Sequence, residues 1–305
     1  MKADREGKVM QNGKRVGFLG LGLMGSGMAM NILRRHGQLT VFDVSPAAVE
    51  RLVGAGATAA PSPGDLAAAA DVVLLSLPHP DITKNAIFGA DGLVHGLAAG
   101  STVIDLSTDG IEAIREMAAA LAARSIRFVD CPVGKGPPAA AAGELTLLAS
   151  GDREVCESVD WVLSMIGSKI YYCGPLGAGQ AIKLANNLLS CGYGALICEA
   201  YAMARKAGAD MEVFSEALPQ TAANSWPLQN VFIPKAFKGD FSPYFRLSAA
   251  HKDYRLIVAT AKALGTPVRA AEVVLGYYDD AEAAGHGDRD FGALALVNNP
   301  ELLDR

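Results

Sequence analysis

Apolar residues in this chain alternate between two arrangements. Short apolar runs occur at 16–19, 39–42, 72–77, 102–106, 127–129, 145–149 and 170–172. Between them, apolar positions at helical spacing occupy 46–53, 82–87, 111–123 and 155–165, and the alanine-rich 65–70 joins this set. The first arrangement predicts buried strands and the second predicts helices. Their alternation predicts a largely parallel, doubly wound sheet of the Rossmann type. From about Ala178 the pattern changes. One long helix is expected there, apolar nearly all round and therefore buried in the protein or in an interface, with Gly208 as its C-terminal cap. Helical spacing returns at 211–217, 256–264 and 270–284, with no convincing strand among them. The expected architecture is α/β: a dinucleotide-binding domain over 14–177, then an all-helical domain over 178–305 entered through the long helix. Residues 1–13 are polar and read as a disordered tail.

The stretch 16–43 carries the first chemistry. Gly20, Gly22 and Gly25 follow the first strand in G-x-G-x-x-G spacing, with Leu23 and Met24 inside the turn. A helix follows, closed by Gly37, and then the second strand. In this context the glycines mean dinucleotide binding. Gly20 permits the turn, Gly22 lets a pyrophosphate approach the backbone, and Gly25 lets the helix lie close on the strand. The helix N-terminus offers N–H groups and partial positive charge to the phosphates. Asp43 ends the second strand about 20 residues on, where an acid accepts hydrogen bonds from the adenosine ribose. A carboxylate there repels a 2′-phosphate, and Val44 supplies no cation to receive one. The cofactor expected is NAD rather than NADP.

Composition narrows the partners. Half of the 305 residues are hydrophobic, and the net charge is −5 with no basic cluster. Nucleic acid and anionic membrane are not expected partners. The apolar stretch 182–204 is broken by Lys183, Asn186, Asn187 and Glu199, so no membrane span is expected. The five cysteines are scattered and odd in number, and 1–13 lacks the apolar region of a signal peptide. Both features fit a reducing cytoplasm. The five histidines show no metal-ligand spacing.

Ligands of doubly wound sheets lie beyond the carboxyl ends of the strands. This draws attention to Leu77-Pro78, Ser107-Thr108 and Asp130-Cys131-Pro132. On the long helix, Lys183 and Asn187 stand four residues apart, hence on one face, and Ser190 extends the stripe. A lysine in so apolar a helix snorkels or faces a cavity. A snorkelling lysine beside a packing asparagine and a proton donor facing the cofactor cleft both satisfy that spacing.

With these residues in place, the chain resembles the β-hydroxyacid dehydrogenases over most of its length. The carrying segments are GLGLMGSGMAMN at 20–31, LP at 77–78, DLST at 105–108, DCPVGKGPPAAAAGELTLLASGD at 130–152, GAGQAIKLANN at 177–187 and HKD at 251–253. The resemblance implies that Lys183 is the catalytic lysine and that Asn187 helps hold the substrate. It implies that Leu77, with Pro78, and Thr108 flank the nicotinamide ribose, and that Lys252 approaches the nicotinamide end. It also implies a homodimer or homotetramer built through the helical domain. The family's carboxylate loop, D-x-P-V-S-G-G, reads here with Gly134, Lys135 and Gly136 in its last three places. A serine hydroxyl is lost and a cation gained, which is similar to the sulfolactaldehyde reductase branch. The implied substrate is a small anionic 3-hydroxy acid or its semialdehyde, a sulfonate included. Two other readings share the architecture: a non-catalytic dinucleotide-binding scaffold and an imine reductase. Lys183 counts against both, and Asp43 also against the second. Trp226 falls at a pocket-wall position of the family, with core packing as its other reading. His251 shows no partner in the sequence, and Asp253 is expected at most to orient Lys252.

Overall fold

A computed structural model describes residues 13–304. Of the expected tail, 1–13, all but Gly13 lies outside the described residues. The chain divides into two compact units between Lys183 and Leu184.

The first unit begins with β1 (Val16–Leu19), α1 (Gly25–His36), β2 (Thr40–Phe42), α2 (Pro46–Val53) and β3 (Thr58–Ala59). It continues with α3 (Pro63–Ala68), β4 (Val72–Leu75), α4 (Pro80–Phe88), β5 (Thr102–Asp105), α5 (Ile111–Ala122) and β6 (Arg127–Asp130). The six strands form one parallel sheet in the order β3-β2-β1-β4-β5-β6. This is the doubly wound order, reversing between β1 and β4. Strand side chains alternate between two apolar layers, as the pleat requires. Phe18, Leu74, Ile104 and Val129 pack on one face with α1. Leu19, Val73, Leu75 and Val103 pack on the other with residues of α3 and α5.

The next elements are β7 (Val133–Gly134), α6 (Pro137–Ala142), β8 (Leu145–Ala149), α7 (Arg153–Ser158), α8 (Asp160–Leu163) and β9 (Gly167–Tyr172). The strands expected at 145–149 and 170–172 do not extend the main sheet. With β7 they form a second, mixed sheet in the order β7-β8-β9. The single helix expected over 155–165 is two short ones, because Val159 leaves helical dihedrals (φ −112°, ψ 2°). Asn31 clasps α6 to α1. Its buried side-chain amide donates to the carbonyls of Ala140 at 2.8 Å and Ala141 at 3.0 Å. No side chain fits between the two helices at Gly27, where a Cβ would lie 2.8 Å from the Ala141 nitrogen.

The helix α9 (Ala178–Lys206) runs from the first unit into the second. Gly208 follows it in the left-handed conformation (φ 82°), the cap its sequence predicts. The second unit holds α10 (Met211–Ala217), α11 (Leu247–Ala263), α12 (Arg269–Ala283) and α13 (Ala295–Asn298). Its core gathers Tyr201, Phe232, Phe237, Tyr254, Tyr278 and Phe291. Among the described residues no named strand follows β9, and no helix is long and apolar enough to cross a membrane. Within the single chain α9 leaves one apolar stripe exposed. Ile182, Leu189, Leu196 and Met203 recur every seven residues and are 47%, 53%, 63% and 70% exposed.

Candidate functional site

Each glycine of the first turn meets a different environment. Gly20 has φ 96°, and a Cβ there would lie 2.3 Å from the Ser76 carbonyl oxygen. A Cβ on Gly25 would collide with the Gly20 carbonyl oxygen and press on the Phe18 ring. Gly22 faces open space, with no atom near its absent side chain. Two glycines therefore close the strand–helix joint, and the third leaves the surface bare. The N-terminus of α1 has no side-chain cap and no acidic residue in its first turn. Its N–H groups and dipole favour an anion at this end. Met24 occupies the N-cap position, and Leu23 is exposed beside it.

Asp43 is half-buried at the end of β2. Its Oδ2 accepts from the Leu21 N–H at 2.6 Å and its Oδ1 from the Ser45 N–H at 2.7 Å. A carboxylate has about four lone-pair sites, so both oxygens can still accept from ribose hydroxyls. The bare turn, the uncapped helix and the fixed acid together fit a dinucleotide.

At the end of β4, the Leu77 N–H donates to Ser107 Oγ at 2.9 Å, tying the 77–78 turn to the 107–108 turn. Thr108 is half-buried and Pro78 exposed. Below these turns lie three buried acids, Asp105, Asp109 and Asp130. Burial, and then the neighbouring Asp109, push the Asp105 carboxyl well above the usual carboxylate range. Burial also pushes Asp130 up, to about 6, against the pull of its hydrogen bonds from Ser150 and Gln180. Cys131 is fully buried, and that burial raises its thiol well above the ordinary value, so it is no nucleophile.

The 134–136 loop leads from β7 into α6. Gly136 is the N-cap of α6. Lys135 takes the left-handed conformation (φ 71°), which a residue with a Cβ seldom adopts. Its Nζ donates to the Glu144 carbonyl oxygen at 2.7 Å, and the side chain is otherwise exposed. One of three ammonium donors is used in this bond.

Lys183, half-buried, and Asn187, buried, lie one helical turn apart on α9, and Ser190 follows half-buried. In the second unit Asn187 Nδ2 donates to Asp253 Oδ2 at 2.5 Å. Lys252 Nζ lies 2.9 Å from Asp253 Oδ1. One buried carboxylate thus joins two site candidates, from α9 and α11. Sequence reasoning gave Asp253 a minor part, because its bond to Asn187 spans 66 residues. Sequence reasoning also missed Gln180, which donates to Asp130 and to the Ser107 carbonyl. An amide in an apolar first turn was the available signal. His251 does have partners: its Nε2 lies 2.7 Å from Asp279 Oδ1 on α12. Trp226 is 55% exposed and tilted against Tyr244 at 6.0 Å, so it is not a core residue. Among the described residues no cluster could hold a metal ion.

The glycine turn on β1, the acid closing β2 and the reversal of strand order between β1 and β4 define a dinucleotide-binding α/β unit. Known proteins agree. Residues 15–174 match the family described as the NAD binding domain of 6-phosphogluconate dehydrogenase. Residues 177–297 match the family described as NAD-binding of NADP-dependent 3-hydroxyisobutyrate dehydrogenase. The chain is 35% identical over 279 residues to 3-sulfolactaldehyde reductase of Escherichia coli, covering 92% of this chain and 94% of that protein. It is 32% identical to 2-(hydroxymethyl)glutarate dehydrogenase of Eubacterium barkeri, covering 94% and 96%. A crystal structure of 3-hydroxyisobutyrate dehydrogenase from Salmonella typhimurium superposes with a TM-score of 0.85 at 32% identity, covering 93% and 99%. The chain belongs to the β-hydroxyacid dehydrogenase family. It is an oxidoreductase that acts on CH–OH groups or the corresponding aldehydes with a nicotinamide dinucleotide.

Proposed function

We propose that this protein is an NAD-preferring reductase of a small semialdehyde bearing an acidic group, or the dehydrogenase of the matching 3-hydroxy acid. The observation that carries the reading is the polar stripe of α9. Lys183 lies one turn from Asn187, and Asn187 is fixed by a buried carboxylate that also holds Lys252. A bound reduced nicotinamide supplies the hydride. The Lys183 ammonium donates a hydrogen bond to the aldehyde oxygen and gives up its proton as that oxygen becomes the hydroxyl. In oxidation neutral Lys183 takes the hydroxyl proton back. General acid catalysis of this kind contributes roughly 10²–10⁴-fold. Asn187 and Ser190 hold the substrate against the lysine. Gly134, Lys135 and Gly136 receive its acidic end, Lys135 through the ammonium donors that Glu144 leaves available. Gly20, Gly22, Leu23, Met24, Gly25, Asp43, Leu77, Pro78, Thr108 and Lys252 form the cofactor site.

The sulfonate of 3-sulfolactaldehyde, the compound named for the Escherichia coli relative, is one acidic end this loop suits. A lysine is a point charge with little geometric demand, so it accepts tetrahedral anions as readily as carboxylates. The heptad stripe on α9 supports a homodimer or homotetramer formed through the helical unit. Light scattering should find no concentration-independent monomer. Five free cysteines suit the cytoplasm. The test is a screen of small carboxylate, sulfonate and phosphonate semialdehydes with NADH and NADPH. NADH should lead by about tenfold or more in kcat/KM, since Asp43 disfavours a 2′-phosphate. Turnover confined to neutral aldehydes, or equal use of both cofactors, would refute the reading.

A further inference from the structure

We infer that Gln180 is a positioning residue for the reaction: its side-chain amide locks the first turn of the catalytic helix to the loops beneath both reactants. This inference rests on Lys183 being the proton donor.

Gln180 is fully buried, and all of its amide's hydrogen-bonding capacity is used. Nε2 donates to Asp130 Oδ1 at 2.8 Å and to the Ser107 carbonyl at 3.1 Å. Oε1 accepts from the Asp109 N–H at 3.2 Å and the Gly110 N–H at 3.3 Å. The Gln180 backbone N–H donates to Asp130 Oδ2 at 3.3 Å, and Ser150 Oγ donates to that same oxygen at 2.6 Å. The 107–110 turn carries Thr108, and Asp130 opens the 130–136 segment that ends in the anion loop. One amide therefore spans both loops. It sits three residues before Lys183, on the same helical face.

The helix start has no room to settle elsewhere. At Gly179 a Cβ would lie 2.3 Å from the Leu148 carbonyl oxygen and 3.0 Å from Asp130 Oδ2. The first turn of α9, one turn before Lys183, is thus seated directly on β8 and Asp130. A displacement of about 1 Å at a reacting group can cost on the order of 10²-fold in rate. An amide that fixes this seat acts on kcat without touching the substrate.

The experiment is a double-mutant cycle on the full chain, with NADH and the fastest semialdehyde of the screen. Gln180→Met keeps length and removes every side-chain hydrogen bond. We expect kcat to fall about tenfold or more, with the Kd for NADH within about threefold. In the Lys183→Ala background the same change should cost less than about threefold, because the residue acts through the lysine. Amide hydrogen exchange at Asp109 and Gly110 should quicken. A folded Gln180→Met enzyme with near-normal kcat would overturn the inference, as would equal losses in both backgrounds. Should Gln180→Met not fold, Gln180→Glu carries the test. It keeps the acceptor for Asp109 and Gly110 but sets a carboxylate against Asp130. Its kcat relative to wild type should recover as pH falls from about 8 to about 6 and the two acids share a proton. A flat ratio would overturn the inference. If Lys183→Ala itself retains full kcat, the proton-donor reading fails first and the inference goes with it. If Lys183→Ala loses activity while Gln180→Met does not, only the inference fails.

Discussion

Asn187 on α9 and Asp253 on α11 meet through a 2.5 Å hydrogen bond, and both side chains are buried. The other oxygen of Asp253 holds Lys252. The asparagine amide could otherwise rotate, presenting oxygen or nitrogen to a substrate. Donating to a carboxylate fixes its nitrogen toward Asp253 and leaves its oxygen on the other side, where Asn186 Nδ2 approaches at 2.9 Å.

Removing Asp253 should therefore disturb two site residues at once. Hydrogen bonds to charged groups contribute roughly 1.5–3 kcal/mol each. We expect Asp253→Ala to lower stability to urea by about that amount. We also expect KM for the semialdehyde to rise about tenfold, because Asn187 loses its anchor, and the affinity for NADH to weaken as well, because Lys252 is released too. Unchanged stability and KM would show the contact to be incidental.

Lys135 pairs a strained backbone with a cation. The left-handed region costs a non-glycine residue roughly 1–2 kcal/mol. Lys135→Gly removes the charge and relieves that strain, so the fold should be as stable or more so. KM for carboxylate or sulfonate semialdehydes should rise about tenfold, while a neutral aldehyde of similar size is indifferent. Steady-state kinetics on the matched pair check this. Equal effects on both substrates would reduce Lys135 to its bond with Glu144.

Asp130 makes stability depend on pH with a definite sign. Its folded-state value of about 6 exceeds the ordinary 3.8, so the folded protein binds the proton more tightly than the unfolded chain. Its favourable contribution is complete below pH 3.8 and is lost as pH rises through about 6. The whole shift corresponds to roughly 3 kcal/mol. In urea titrations across this range, wild type should lose stability relative to Asp130→Asn as pH rises. A difference independent of pH would contradict the assignment of burial as the dominant cause.

Much of this fold is legible because its signals are local. The glycine turn, the helix 46–53 and the left-handed cap at Gly208 are each fixed by residues within a few positions of one another. What the sequence conceals is non-local. Nothing within Leu145–Ala149 says that it pairs with Val133–Gly134 instead of joining the main sheet. Two-residue strands such as Thr58–Ala59 carry no period to detect. The site follows the same rule. Lys183 and Asn187 stand out because helical spacing aligns them. Asp253 and Gln180 do not, because their partners lie 66 residues and at least 50 residues away. The apolar periphery of α9 is legible only in part: composition marks a face as unsuited to water without saying what covers it.

The central claim is that Lys183 is the proton donor, and one kinetic comparison tests it most directly. The measurement is kcat of Lys183→Ala against wild type, at saturating NADH and semialdehyde, with the Kd for NADH determined in parallel. The account predicts a fall of about 10²-fold or more in kcat, the scale of a lost general acid, with cofactor affinity within a few-fold. A kcat within about threefold of wild type would mean that the lysine only snorkels at the helix surface, and would contradict the account.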